Sequence, residues 1–399
     1  MITVEQATQI ILENAQPSKA AKVHLMASIG MILREDIVAD RDFPPFDRVT
    51  MDGIAINFSS FESGLRSFRI EGIQAAGMPV LVLKNKENCI EVMTGAVLPE
   101  GTDAVIRYED LVIEDGIAKI EIEYLGFRQN IHHKGIDRKE NEVILRSGHK
   151  ISPAEIGTLA TVGKTEVWVS ALPKTAIVST GDELVEVNEI PLLHQIRRSN
   201  VFSLAAMLKA QCAIDADLFH FADDEEAITE GLEDILADYE LVILSGAVSE
   251  GKYDFLPKVL SDLNVEKLFH KVSQRPGKPF WFGRRDDVVI FALPGNPVSA
   301  FMCACRYVMP YINQQLCDSL ELPESWACLT TDVIFKPDLT YFLPVKVLNT
   351  EGRLLATPVE GHGSGDLANL NDADGFLELP SDRSIFKEKE VFPLFLYRQ

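Results

Sequence analysis

The segment Leu293-Pro294-Gly295-Asn296-Pro297-Val298-Ser299-Ala300 constrains this chain more than any other. The apolar run before it, Val288 to Ala292, reads as a buried strand, and the apolar stretch after it, Phe301 to Gln314, reads as a buried helix. Asn296 suits a helix N-cap, and Pro297 suits the first helical position. Such a strand-to-helix turn leaves backbone N–H groups free at the carboxyl end of the strand, where they bind anions, phosphate above all.

Two further apolar runs end in polar glycine turns. Thr175 to Ser179 leads into Thr180-Gly181-Asp182-Glu183, and Leu241 to Leu244 leads into Ser245-Gly246-Ala247-Val248-Ser249-Glu250-Gly251. Helical patterns lie between them, over Ser199 to Gln211 and, after an acidic start, over Asp224 to Tyr239. Strands alternating with helices predict a parallel sheet. In an open sheet of that kind, ligands sit beyond the carboxyl ends of the strands. All three turns fall on that edge, so an anion or nucleotide site is expected there.

Composition narrows the partners. The 399 residues carry a net charge of -22, which argues against nucleic acid and against anionic membranes. No apolar run is long enough to span a membrane. Thr3 and Gln6 fit a capping box, and the acidic N-terminus lacks the basic, apolar start of a signal peptide. The six cysteines show no zinc spacing and read as small buried apolar residues of a cytoplasmic protein. An acidic chain that binds anions needs local compensation. Arg197, Arg198, Lys271, Arg275 and Lys278 cluster near the proposed edge, although for any one of them scattered solvated charge is the better reading.

The stretch to about Arg34 reads as two helices, and Asp42-Phe43-Pro44-Pro45-Phe46-Asp47 ends the helical pattern. From about residue 50 to 145 short β-like runs take over: Ser67 to Ile70, Val80 to Leu83, Cys89 to Met93, Ala104 to Tyr108 and Ala118 to Ile122, with Asp115-Gly116 as a turn. Pro153 to Val162 reads as helical. The tail returns to strands, for example Phe342 to Val347 and Gly375 to Leu379, with Glu351-Gly352 as a hairpin turn.

Several motifs in order resemble the molybdopterin molybdenumtransferases, the bacterial MoeA type and the gephyrin E-domain. Phe46 to Ala55, with Met51-Asp52-Gly53 at its centre, is similar to the family's Ser-Ala-Met-Asp-Gly-Tyr-Ala signature. Met93-Thr94-Gly95-Ala96 is similar to its Thr-Gly-Ala block, and Gly135-Ile136-Asp137 stands where the family has Gly-Glu-Asp. The Thr180 to Leu184, Ser245 to Ser249, Arg275 to Pro279 and Leu293 to Ala300 segments complete the set. The resemblance implies a central three-layer, MogA-like α/β domain over 171–325 with a parallel sheet. It also implies a helical linker domain from 1–45 and 141–170, a β domain over 46–140 and a β-barrel-like domain over 326–399.

It further implies a transferase that inserts molybdate into adenylylated molybdopterin, releasing AMP, with magnesium as cofactor. The expected assembly is a homodimer with a shared active site. Asp52, Thr94 and Asp137 would come from one chain, and the turns at Gly181, Ser245 and Pro294 from its partner. The adenylyltransferase that makes the substrate and the molybdoenzymes that receive the product are the implied protein partners. Carboxylates beside phosphates repel unless a divalent cation lies between them. Asp52, Asp137, Glu183 and Asp254 form the implied acidic set, read as buried around the anion. Asp254 is the expected magnesium ligand, with Asp223 second, and a plain helix cap is the competing reading of Asp223. Lys271, Arg275 and Lys278 would stabilise the transferring oxyanion or bind molybdate. Thr94, Thr180, Gly181, Asn200, Ser245, Gly246, Ser249, Pro294, Gly295, Asn296 and Ser364 would contact substrate.

Three departures stand out: Ala247 where the family has a second Gly, Glu250 where it has an apolar residue, and Arg198 where it usually has Asp. They leave open a second reading, a divergent non-catalytic or tungstate-handling paralogue that serves as a nucleotide- or pterin-binding dimeric scaffold.

Overall fold

The computed structural model describes residues 1–246, 256–317 and 325–398. The chain forms two compact units. The larger takes Met1–Arg34, Gly148–Ile156 and Glu166–Gln399, and the smaller takes Glu35–Ser147 and Gly157–Thr165. Among the described residues no helix is long and apolar enough to cross a membrane.

The larger unit is built on a six-stranded sheet. Ala216–Phe221, Thr175–Thr180, Leu241–Ser245 and Val288–Leu293 run parallel in that order, and Trp281–Arg285 and Glu266–His270 extend it antiparallel. The three inner parallel strands, Thr175–Thr180, Leu241–Ser245 and Val288–Leu293, read as apolar runs because both faces are covered, whereas the edge strand Ala216–Phe221 carries Asp217 and His220 and is only partly buried. Ile177, Ile243 and Phe291 point into one core, shared with the Ser199–Cys212 helix. Their neighbours Val178, Leu244 and Ile290 point into the other, shared with the Glu225–Asp238 and Leu256–Asp262 helices. The expected three-layer α/β arrangement is therefore present.

The helix after Leu293 begins at Pro297, earlier than the apolar pattern alone marks. It runs as Pro297–Cys303, a π-helical stretch Ala304–Val308, and Met309–Leu316. Pro310 explains the interruption. Proline lacks an N–H, and its ring crowds the carbonyl four residues back, so the preceding turn widens.

Five strands close a small barrel at the end of the chain. Thr340–Thr350, Arg353–Pro358, Ser325–Leu329, Val391–Leu396 and Gly375–Leu379 pair in sequence, and the last returns to the first. The Glu351-Gly352 hairpin has positive φ at both positions, as its sequence predicts. Gln274–Arg275 lies alongside Thr340 and Tyr341 and ties the basic Arg275 segment to this barrel.

The helical character expected for 1–45 and 141–170 needs correction. Val4–Glu13 is a helix with the predicted Thr3/Gln6 capping box, and Pro153–Thr161 is a helix. The second predicted N-terminal helix is instead the strand Ala20–His24, paired antiparallel with Glu166–Ser170, followed by a short 3-10 turn at Leu25–Ser28. Pro17 lies just beyond the first helix, and alternate side chains of the strand face inward. Val143–Leu145 pairs with Ile37–Val38 in the smaller unit.

The smaller unit carries a second six-stranded sheet: Ala104–Arg107, Gly53–Ile56, Asn88–Val92, Ser67–Gln74, Ile117–Ile120 and Leu111–Glu114. The expected Val80 to Leu83 strand is absent, and only Val82 makes an isolated bridge, to Glu100. Buried Gln74 explains this. Its Oε1 accepts from the Leu81 N–H at 2.7 Å, and its amide donates toward the Met78 and Pro79 carbonyls, replacing a ladder.

Candidate functional site

Three strand ends of the parallel sheet converge. Gly246, at φ +105, donates its N–H to the Leu293 carbonyl at 3.1 Å, and a Cβ there would meet Thr180 O at 3.5 Å. A Cβ on Gly295 would stand 3.6 Å from Gly246 Cα. The turns after Thr180, Ser245 and Pro294 thus pack almost backbone to backbone. Asn200, in the first turn of the Ser199–Cys212 helix, binds two of them: Nδ2 donates to Ser245 Oγ at 3.0 Å and to Gly295 O at 2.8 Å. The turns border a cavity of about 680 Å³, whose lining includes Thr180, Gly181, Asn200, Ser245, Gly295 and Asn296, with Gly246 and Pro294 beside them. That volume suits a small-molecule ligand.

Glu183 and Asp223 also line this cavity. The Glu183 carboxylate folds over Gly181, whose φ of +137 is what favours glycine in this turn. The helix-cap reading of Asp223 is corrected, because Asp224 accepts the capping bond from Ala227 N–H at 2.8 Å. Asp223 instead takes its place on the cavity wall.

An adjoining cavity of about 400 Å³ holds Arg275, Lys278 and Ser364, and shares Pro279, Pro294 and Asn296 with the first. Asn296 occupies the N-cap position, yet its side chain does not cap the helix. Its Nδ2 donates to Ser364 Oγ at 2.9 Å, and Val298 N–H donates to Ser364 O at 3.1 Å. Asn296 therefore joins the two cavities through the Ser364 loop. Lys271, expected beside Arg275 and Lys278, lines neither cavity. Its φ of +72 and its N–H bond to Phe280 O belong to the turn that positions the basic segment.

That basic segment stands on a buried polar network which sequence reading missed. Tyr307 donates its hydroxyl to Gln274 Oε1, and Gln274 Nε2 donates to Gly277 O at 3.0 Å. Both side chains are buried, and Tyr307 lies in the π-helical stretch. Gly277, at φ +88, packs so closely that a Cβ would be 2.6 Å from Cys303 Sγ. A polar residue four positions before Lys278 was the only signal available.

Asp52, Thr94 and Asp137 belong to the smaller unit. Asp52 Oδ1 accepts from Thr94 N–H at 2.6 Å and from Thr94 Oγ1 at 2.8 Å. These bonds, the backbone one foremost, hold its carboxyl below the usual aspartate range. A Cβ on Gly53 would lie 1.9 Å from Ile106 O, which accounts for glycine after Asp52. Asp137 pairs with His132 Nε2 at 3.0 Å. The acidic set was expected to be buried, but Asp52, Asp137 and Glu183 are all exposed. Ionised carboxylates stay hydrated unless partners replace the water.

Ser249 and Asp254, together with the departures Ala247 and Glu250, lie outside the described residues. Among the described residues no group of three or more His, Cys, Asp or Glu side chains could hold a metal ion. Five of the cysteines are buried, and burial pushes the Cys89 thiol up to about 12 and the Cys212 thiol up to about 11, as inert core thiols require.

Comparison with known proteins matches every part of this architecture. The family model for the MoeA N-terminal region (domain I and II) matches residues 2–163. That for a probable molybdopterin binding domain matches 176–314, and that for the MoeA C-terminal region (domain IV) matches 327–396. The chain is 40% identical over 405 residues to the molybdopterin molybdenumtransferase of Synechocystis sp., covering 100% of both chains. It is 30% identical to that of Staphylococcus epidermidis, over 99% of this chain and 95% of the relative. Two crystal structures of a molybdopterin biosynthesis MoeA protein from Pyrococcus horikoshii share its fold, with TM-scores of 0.82 and 0.78 at 27% and 26% identity, each covering 100% of both chains. Likeness that runs from end to end and through all three matched regions makes this chain a member of the molybdopterin molybdenumtransferase, or MoeA, family.

Proposed function

We propose that the chain inserts molybdate into adenylylated molybdopterin and releases AMP, within molybdenum cofactor biosynthesis. The observation that carries this reading is the corner where Asn200 ties Ser245 to Gly295 on the wall of a ligand-sized cavity. Backbone N–H groups and neutral side chains there suit the phosphates of a nucleotide. The adjoining cavity brings Arg275 and Lys278 close to Ser364 and suits a tetrahedral oxyanion, molybdate in this reading. Opening the phosphoanhydride places negative charge on the departing phosphate, and two cations beside it offset that charge.

Magnesium fits the residues present. It takes one or two carboxylates and fills its remaining positions with phosphate oxygens and water, so it needs no cluster of three protein ligands. Glu183 and Asp223 on the cavity wall would hold it, with Asp254 as the further candidate. When bound, it supplies charge neutralisation at phosphate oxygens. Asp52, Thr94 and Asp137 complete the site from a partner subunit in this reading, within a homodimer of four-domain chains divided near residues 45, 140, 170 and 325. A protein that adenylylates molybdopterin would supply the substrate, and acceptor molybdoenzymes would take the product. A scaffold without turnover is not favoured, since the relatives that match over the full length are named as transferases.

The test is to incubate pure protein with adenylylated molybdopterin, molybdate and magnesium and to follow AMP by chromatography. Release by wild type, lost in Asp52→Ala and on magnesium chelation, supports the reading. Tight substrate binding with no AMP formed would overturn it in favour of the scaffold.

A further inference from the structure

Arg198 is a nearly buried arginine whose neighbouring carboxylate, Glu186, is itself partly exposed. It precedes the Ser199–Cys212 helix at the N-cap position, makes no capping bond, and lines the larger cavity. Its backbone N–H donates to Val185 O at 3.2 Å, which fixes it against the turn that carries Gly181 and Glu183. The residue is only 9% exposed, and its Nε is buried without a hydrogen-bond partner. Glu186 Oε1 comes within 3.2 Å of Nε, out of line for a hydrogen bond, and the Phe202 ring centroid lies 5.8 Å from Cζ.

Two of these features cost stability, the unmet Nε and the position at the helix start. A guanidinium carries five donors in a fixed fork, and burying it with donors unmet is unfavourable. A cation at a helix N-terminus also opposes the helix dipole. The partly exposed Glu186 ion pair and the Phe202 ring offset only part of this cost. The charges on the cavity wall point the same way: Glu183 and Asp223 are opposed by Arg197 and Arg198. Without Arg198 the wall would carry net negative charge and repel a phosphate.

We propose that Arg198 is a phosphate-specificity residue of this cavity, its guanidinium fork binding oxygens of the nucleotide phosphate. The proposal rests on the reading of the cavity as a nucleotide site. Arginine matches phosphate with two parallel N–H···O bonds, which a lysine cannot reproduce. The residue would thereby select phosphorylated ligands over the bare nucleoside.

The experiment is calorimetric titration of the full-length protein with AMP, adenosine and sodium molybdate separately, at constant ionic strength. Arg198→Ala is compared with wild type, with Arg198→Lys, and with Lys209→Ala, which removes a cation paired with Asp215 near the far end of the same helix. Arg198→Ala should weaken AMP binding by about 10–100-fold, the range for a charged hydrogen bond, and leave adenosine unchanged. Arg198→Lys should recover part of the loss, and Lys209→Ala should show none of it. Because the substitution removes the buried unmet Nε and gives up only a partly exposed ion pair, the melting temperature of Arg198→Ala should equal or exceed that of wild type.

Unchanged AMP affinity in Arg198→Ala would overturn the proposal. Equal losses for AMP and adenosine, or a lower melting temperature, would assign Arg198 a structural role and overturn it too. A loss confined to molybdate would overturn the phosphate assignment. If wild type bound no AMP, the nucleotide reading of the cavity would fall, and this inference with it.

Discussion

Asn200 Nδ2 donates to Ser245 Oγ at 3.0 Å across 45 positions of sequence. The same amide reaches Gly295 O, so one side chain sets the spacing between two strand ends. Substitution to Ala would leave the Gly295 carbonyl and the Ser245 hydroxyl without that donor. Asn200→Ala should lower unfolding free energy by about 1–3 kcal/mol in urea melts and raise the KM for substrate about 10–100-fold in the AMP-release assay.

Asp52 and Thr94 couple a carboxylate to pH. The Thr94 bonds stabilise the ionised form and hold the folded-state pKa below the unfolded one. The contribution is therefore present above the unfolded pKa and is lost as pH falls through the folded value. Thr94→Val keeps the backbone donor and removes the hydroxyl. Carboxyl carbon NMR should show Asp52 titrating higher in Thr94→Val than in wild type. The pH profile of AMP release should move on its acid limb and stay unchanged near neutrality.

Gly277 shows why the basic segment has little freedom. Its φ is +88, and a Cβ would fall 2.6 Å from Cys303 Sγ and 2.9 Å from Gln274 Nε2. Gly277→Ala should destabilise the protein by about 1–3 kcal/mol through backbone strain alone. Displacement of Lys278 should lower molybdate binding, measured by calorimetry.

Tyr307→Phe removes a donor from Gln274 Oε1 in the interior. The expected cost is about 1–3 kcal/mol, the penalty of an unmet buried acceptor. Chemical denaturation would measure it. A double variant, Tyr307→Phe with Gln274→Leu, should be less destabilised than the sum of the two single changes, because each single change already forfeits the hydrogen bond the two share.

Local chemistry made much of this protein legible in its sequence. Three of the four parallel strands read as apolar runs because both faces are buried, and Asp115-Gly116 and Glu351-Gly352 read as hairpins because both positions need positive φ. The glycine turns at residues 181, 246 and 295 were marked as one edge from the order of strands and helices. Ordered motifs carried the family.

Tertiary structure alone decided the rest. Ala20–His24 became a strand because Glu166–Ser170 lies beside it, and Gln74 displaced a strand by satisfying backbone groups with its side chain. The burial of Arg198, the Gln274–Tyr307 contact and the turn of Asn296 toward Ser364 each join residues far apart in the chain or set a side chain against distant surroundings. Periodicity and turn chemistry report on neighbours along the chain. Where a polar side chain finds its partner depends on which distant segments pack against it, and that is settled only when the cores close.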